Sequence, residues 1–213
     1  MFRVWGRATS SNVQKVMWVL AELGEPVERI DVGGAFGGLD TVQYRAMNPH
    51  GRIPTVEMPG GIVMWESNAI TRHLARHDPQ RRLWPAGGQA EADAEMWADW
   101  AHHAVVFPTV QLFWALVRTR PADRDAALIA SHLNAANAGL AVAEKRLSQS
   151  EHLAGPTRTI ADIVLGHILY RYYEMEIERP DLPALAAYYG RLTGHAPYAE
   201  HVMVDFSSLI PAP

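Results

Sequence analysis

The sequence predicts an α/β unit followed by an all-helical unit, and three observations carry that expectation. Residues 2–32 read strand, helix, strand in close succession, the pattern of a parallel βαβ unit. Pro59-Gly60-Gly61 separates two short β-prone runs and signals a hairpin. Residues 79–88 hold two prolines and two glycines without apolar periodicity, and beyond them only helical spacing recurs. The expected division is an α/β domain over 1–78, a linker over 79–88 and an all-α bundle over 89–213.

The elements follow in order. Residues 2–6 read as a strand, after which Val13, Val16, Met17, Leu20 and Leu23 recur at helical spacing until Gly24 and Pro26 stop the helix. Residues 27–32 form the second strand, 33–38 a Gly-rich loop and 41–47 a short helix. The hairpin strands are 55–58 and 62–65, and 66–77 closes the unit as a helix. In the second unit, residues 89–118 are rich in Trp and Ala, with a bend expected at Pro108. Helical runs over 122–150, 159–174 and 182–192 complete the bundle. Thr159-Ile160-Ala161-Asp162 has the capping-box form, in which hydroxyl and carboxylate each satisfy a free amide at the helix start, and is read as structural. Pro211-Ala212-Pro213 is expected to fray.

Composition removes several classes of function. With 213 residues, 48% of them hydrophobic, the chain can bury a substantial core. A net charge of −4 and scattered Lys and Arg leave no basic stripe for a nucleic-acid backbone. The opening Met1-Phe2-Arg3-Val4-Trp5 has neither a basic nor an apolar leader region, and no unbroken apolar run suggests a bilayer span, so a cytoplasmic location without membrane contact is expected. There is no cysteine. Disulfides, thiolate metal sites and reactions of the protein's own thiol are thereby excluded, and any sulfur chemistry must use a borrowed thiol.

Two short motifs carry the chemical information. In Asn48-Pro49-His50-Gly51-Arg52-Ile53-Pro54 a proline stands where a loop enters a strand, a place where a cis X-Pro bond is accessible. That bond would turn the Ile53 amide and carbonyl outward, free to pair with an extended ligand backbone. In Trp65-Glu66-Ser67-Asn68-Ala69-Ile70 an acid and a hydroxyl open a helix, where free amides collect partial positive charge. Between them, the motifs can hold a small anionic peptide at both ends.

The two motifs and the late cap at Thr159 to Asp162 occur in the order and rough spacing found in cytosolic glutathione S-transferases, and with the βαβ-ββα order the chain resembles that family over essentially its full length. Within the family it is most similar to bacterial members of the Ser type. The resemblance implies a thioredoxin-like N-terminal domain, glutathione as co-substrate and a homodimer. It implies that Ile53 pairs its main chain with the cysteinyl part of glutathione beside the cis Pro54, and that Glu66 and Ser67 hold the γ-glutamyl end. Glu66 can accept from the ligand's ammonium, and the Ser67 hydroxyl and amide can donate to its α-carboxylate. Arg52 departs from the Lys or Gln frequent at its position but still offers cationic donors to the glycyl carboxylate. His50 and the loop over 33–38 stand near that end with no role assigned.

The thiol-activating position lies within Ala8-Thr9-Ser10-Ser11-Asn12-Val13. Several hydroxyls compete there, and Ser10 and Asn12 also suit plain N-capping of the first helix. The resemblance places Ser10 at the activating position with Asn12 as helper. A neutral hydroxyl is sufficient for the task. Lowering a thiol pKa from about 8.5 by about two units takes roughly 2.7 kcal/mol. A hydrogen bond to the charged sulfur contributes about 1.5–3 kcal/mol and a helix N-terminus about 0.3–1 kcal/mol. For the second substrate, Phe107, Gln111, Phe113 and Trp114 are candidates for an apolar wall between the two units, with Phe107 and Trp114 favoured.

Other chemistries lack their motifs. His73/His77 and His102-His103 have no His-Glu-x-x-His context or third ligand, so no metal site is expected. There is no Gly-x-Ser-x-Gly elbow for a serine hydrolase, and 33–38 lacks the spacing of a dinucleotide site. Two classes remain: an enzyme that uses glutathione, by conjugation or by reduction of disulfides and peroxides, and a binding or scaffold protein of the same fold.

Overall fold

The strand, helix, strand opening builds the expected parallel unit. In a computed structural model that describes residues 1–211, β1 (Phe2–Trp5) pairs in parallel with β2 (Val27–Ile30), Phe2 opposite Val27 and Trp5 opposite Ile30. Between them α1 (Ser11–Glu22) crosses one face of the sheet and buries Val13, Val16, Trp18, Val19 and Leu20 completely. A short α2 (Val42–Met47) precedes β3 (Thr55–Glu57) and β4 (Val63–Trp65), which pair antiparallel around the 59–61 turn. There the Met58 amide donates to the Ile62 carbonyl at 2.8 Å. The sheet order is β2-β1-β3-β4, with β1 antiparallel to β3, and α3 (Ser67–His77) returns beside α1. This is the thioredoxin-like arrangement. Of the tail expected to fray, Ala212 and Pro213 lie outside the described residues.

The segment between the units is anchored. Residues 79–87 contain no helix or strand, yet Leu83 and Trp84 are buried. The Trp84 indole donates to Glu91 at 2.8 Å under the Arg76 guanidinium, 4.3 Å from the ring centre, and the Leu83 carbonyl accepts from the Ile160 amide at 3.1 Å.

The second unit is helical throughout: α4 (Gly88–Ala101), α5 (Phe107–Leu116), α6 (Ala126–Leu147), α7 (Ile160–Glu174), α8 (Pro183–Thr193) and α9 (Ala196–His201). Helix α7 is its axis, with every residue from Ile160 to Leu169 buried, and it packs against α1 of the first unit as well as α4 and α5. Its capping box forms as expected: the Asp162 carboxylate accepts from the Thr159 amide at 2.9 Å, and Thr159 Oγ1 accepts from the Ala161 amide at 3.2 Å. The same carboxylate also accepts from the Leu153 amide and the Tyr188 hydroxyl. Helix α9 has no counterpart in the sequence expectation. Its Tyr198 packs edge-on against Trp18 and donates to the Gly166 carbonyl, joining α9 to α1 and α7.

Two expectations for the helical unit need correction. The irregularity near Pro108 is a π-helical turn over His102–Val106 that precedes the proline. Pro108 has no N–H to offer the Ala104 carbonyl four residues back. Gly139 of α6 lies against that carbonyl; a Cβ on Gly139 would come within 2.2 Å of the Ala104 oxygen. The second concerns α6, which begins at Ala126 because Asp125 caps it, accepting from the amides of Ala127 and Leu128. By length and average composition alone α6 is apolar enough to cross a bilayer, although Ser131, His132, Asn134 and Asn137 leave it no long unbroken apolar run. Alanines raise that average, and they are interrupted by polar groups. Asn137 accepts from the Tyr172 hydroxyl at 2.8 Å, and Ala136, Leu140, Ala143 and Leu147 bury one face against the bundle.

Candidate active site

The loop entering β3 is held by a closed set of hydrogen bonds. Thr41 caps α2 and so places Tyr44, whose buried hydroxyl donates to the Arg52 carbonyl at 2.7 Å and lies 2.8 Å from Thr55 Oγ1. Asn48 donates to the same carbonyl at 2.8 Å and to Thr55 Oγ1 at 3.0 Å, while its own oxygen accepts from the His50 amide. Burial raises the Tyr44 pKa against the opposing pull of Thr55 and Asn48, so the phenol stays a donor. Gly51 has a positive φ of 63° and lies against the Arg45 guanidinium, which would stand 2.3–2.7 Å from a Cβ there. Downstream of this brace the Ile53-Pro54 bond is cis. The brace engages Arg52 and Thr55 on either side, and among the described residues the Ile53 amide and carbonyl have no hydrogen bond to the chain. Arg52 and His50 themselves are exposed.

Helix α3 begins from a strained residue. Glu66 adopts φ 71° and ψ 105° at the N-cap, a left-handed conformation uncommon for a side chain with a Cβ and one that clusters at functional sites. Its carboxylate is exposed, while Ser67 is buried and donates through Oγ to Asn12 Oδ1 at 3.1 Å.

That contact joins the start of α3 to the start of α1. Ser10 is the N-cap of α1, with extended backbone angles and a side chain that makes no capping hydrogen bond, so its hydroxyl is not spent on the helix. Ser11 is buried and Asn12 is exposed. The loop ahead of them is fixed by Gln14, which donates to the Ala8 carbonyl at 3.0 Å, by Arg171 on the Thr9 carbonyl and by Arg29 on the Gly6 carbonyl. A Cβ on Gly6 would touch both Val13 and Ile53, so the cis-proline loop abuts the β1–α1 loop. The sequence-predicted residues Ser10, Asn12, Ile53, Pro54, Glu66 and Ser67 thus share one neighbourhood, with Arg52 exposed on the same loop as Pro54.

The two aromatic candidates part company. Phe107 lies in a separate groove with Trp100, His103, His132 and Gly139, away from Ala8 and Thr9. Trp114 is half-exposed and carries the Arg118 guanidinium 3.9 Å above its ring. Arg118, with Arg7, Ala8, Thr9 and Phe36, lines a cleft of about 520 Å³ between the β1–α1 loop and residues 208–211.

Sequence reading missed Lys15. It is fully buried on α1 and its ammonium donates to Asn68 Oδ1, the residue following Ser67. Burial, with Arg72 nearby and only Glu66 opposing, lowers its pKa to about 7. His102 and His167 are depressed beside it, chiefly by burial and then by its charge. The signal was a polar residue on the face of a helix flanked by Val13 and Val16, but α3, α7 and α9 pack around α1 and every residue from Val13 to Leu20 is buried, which helical periodicity does not reveal.

Comparison with known proteins agrees with this geometry. Residues 9–77 match the family model "Glutathione S-transferase, N-terminal domain" and residues 99–196 match "Glutathione S-transferase, C-terminal domain". Glutathione S-transferase GstB of Escherichia coli (strain K12) is 33% identical over 208 residues, covering 97% of this chain and 100% of that one. A theta class glutathione S-transferase of Xanthomonas axonopodis pv. citri, solved with glutathione bound, superposes with a TM-score of 0.90 at 43% identity over 96% of this chain and 98% of that chain. A glutathione S-transferase of Pseudomonas fluorescens [Pf-5] superposes with a TM-score of 0.83 at 28% identity, covering 96% of this chain and 99% of that chain. The chain belongs to the glutathione S-transferase family.

Proposed function

We propose that this protein binds glutathione and stabilises its thiolate for attack on a small electrophile. The observation that carries the proposal is the Asn12–Ser67 hydrogen bond, which brings the two helix starts together beside the cis-proline loop. In this reading the free main chain of Ile53 pairs with the cysteinyl unit. Glu66 receives the γ-glutamyl ammonium and Ser67 the α-carboxylate, where the first amides of α3 add favourable partial charge. Arg52 meets the glycyl carboxylate.

The Ser10 hydroxyl, free of any capping bond, donates to the sulfur anion, and Asn12 positions Ser67 and the edge of the site. The thiolate then forms the C–S bond while the leaving group departs with its electron pair. No general base is needed at Ser10, since the hydroxyl stays protonated throughout.

A homodimer and a cytoplasmic location belong to the same proposal. Ile62 and Trp65 on the hairpin and Met96 and Phe107 on the helical unit are large apolar side chains left exposed, on the two units expected to meet across a dimer. Sedimentation giving only a particle of 23.6 kDa at micromolar concentration would remove the dimer.

The function is tested by titrating glutathione into the protein, then assaying an aryl halide and a small disulfide. Saturable binding with catalysed conjugation is expected. Catalysis of disulfide reduction alone would make the protein a reductase, and binding with only uncatalysed rates across a broad panel would make it a scaffold.

A further inference from the structure

Among the described residues the cleft above Ala8 and Thr9 is lined by three arginines, Arg7, Arg29 and Arg118, against one carboxylate, Asp31. Arg7 lies along the Gly33–Gly34 backbone, 3.4–3.5 Å from where a Cβ on Gly34 would stand. Arg118 faces the cleft from the end of α5, seated on Trp114. Arg171, only 5% exposed, reaches from α7 to the Thr9 carbonyl with its guanidinium 4.3 Å from the centre of the Phe113 ring.

Among the described residues none of the guanidiniums of Arg7, Arg118 and Arg171 pairs with a carboxylate, and the acid in the cleft wall, Asp31, is bound to Arg29. Nε of Arg7 and Nε of Arg171 are both buried without a hydrogen-bond partner. Burial together with the charges of Arg7 and Arg118 lowers the Arg171 pKa to about 9, so the cluster repels itself as it stands. Guanidiniums crowded in this way are stabilised by an anion, and their planar donor set matches a carboxylate.

We propose that this cleft binds the carboxylate of the electrophile between Arg7 and Arg118, with the buried Arg171 behind the Thr9 wall adding to the positive field, so that the preferred substrates are anionic, carboxylate-bearing electrophiles. The inference rests on the transferase reading above. A carboxylate is also present on glutathione itself, at its glycyl end. The electrophile is favoured as the source because the cleft reaches the end of α5 at Arg118, on the helical unit, whereas Arg52 already stands on the cis-proline loop.

A matched pair of aryl fluorides tests it: 4-fluoro-3-nitrobenzoate and 4-fluoro-3-nitrobenzamide. In both, the glutathione sulfur bonds to the ring carbon and fluoride leaves with the bonding pair, so the two differ in charge but not in reaction. Each rate is expressed as enhancement over the uncatalysed reaction. The wild type is expected to favour the benzoate at least tenfold, and Arg118→Gln and Arg7→Gln, each made singly so that one failure to fold is not decisive, to reduce that preference at least tenfold.

Conjugation of both compounds without preference would overturn this inference while leaving the transferase reading intact; conjugation of neither, nor of the broad panel, would overturn that reading. An equal loss on both compounds in the variants would show that the arginines act on the thiolate. A parallel tenfold weakening of glutathione binding would show that they hold the glycyl carboxylate.

Discussion

Asn12 of α1 accepts a hydrogen bond from Ser67 of α3 at 3.1 Å, across 55 residues of sequence. Ser67 directly follows the left-handed Glu66, and Asn12 lies two residues beyond the uncapped hydroxyl of Ser10. One contact therefore fixes the distance between the group proposed to hold the γ-glutamyl end and the group proposed to hold the sulfur. It also ties up the Ser67 proton, so that glutathione entering the site must either recruit the Ser67 amide or exchange partners with Asn12.

The two α1 residues should therefore fail differently. Ser10→Ala removes a charge-assisted donor worth about 1.5–3 kcal/mol. At about 1.4 kcal/mol per tenfold, kcat/KM near neutral pH is expected to fall roughly 10–100-fold, with the bound thiol pKa raised in step. Asn12→Ala frees Ser67 from its partner and is expected to weaken glutathione binding more than it moves the thiol pKa. Ultraviolet titration of the bound thiolate separates the two; a raised thiol pKa in Asn12→Ala alone would exchange the roles.

Gly139→Ala tests the packing at the π turn. Its Cβ would enter the space of the Ala104 oxygen at 2.2 Å, and backbone cannot yield as a side chain does. A cost of about 1–3 kcal/mol is expected for such overpacking, and at roughly 2–4 °C per kcal/mol for a chain of this size the melting temperature should drop by several degrees. A scan showing no change would mean that α6 is free to move away from α4 and α5.

Asp162 is completely buried and accepts from Thr159, Leu153 and Tyr188. Asp162→Ala would strand donors that each cost about 1–3 kcal/mol when left unsatisfied. Urea unfolding should show a midpoint lowered by about 1 M or more for a slope of about 1–3 kcal/mol per molar. Tyr188→Phe removes a single donor and should cost only about 1 kcal/mol. Equal losses in the two variants would show that the carboxylate serves Tyr188 alone.

What could be read from the sequence were the features with a local cause. The 59–61 hairpin, the Thr159–Asp162 cap and the proline entering β3 each announce themselves through residues within a few positions of one another. The bend expected at Pro108 is instead a π turn ahead of it, because the Ala104 carbonyl that Pro108 leaves without a donor lies against a glycine on another helix. Phe107 looked like a substrate wall because aromatic residues at helical spacing do not say which way the helix is turned; it faces the groove with Trp100. Arg7, Arg118 and Arg171 are scattered over 165 positions and read singly as surface charge, and only the fold makes them neighbours.

Lys15 should leave a signature in the pH dependence of stability. Its ammonium is buried against Asn68, with Glu66 and Arg72 of the α3 segment, His102 of the π turn and His167 of α7 around it, and its pKa falls to about 7 in the folded protein. The unfolded chain keeps the proton up to the ordinary lysine range near 10.5. Below pH 7 both states are protonated and the full burial penalty stands. Between pH 7 and about 10 the unfolded state binds more protons than the folded one, so stability rises with pH by about 1.4 kcal/mol per unit from this group alone. Lys15→Met lacks the titration, while the remaining groups contribute to both proteins in common. The stability of wild type relative to Lys15→Met, from urea unfolding at about pH 7.5 and 9, should therefore increase by roughly 2 kcal/mol. A difference that stays flat between those two values would mean that the amine is as well stabilised in its charged form inside the fold as it is in water.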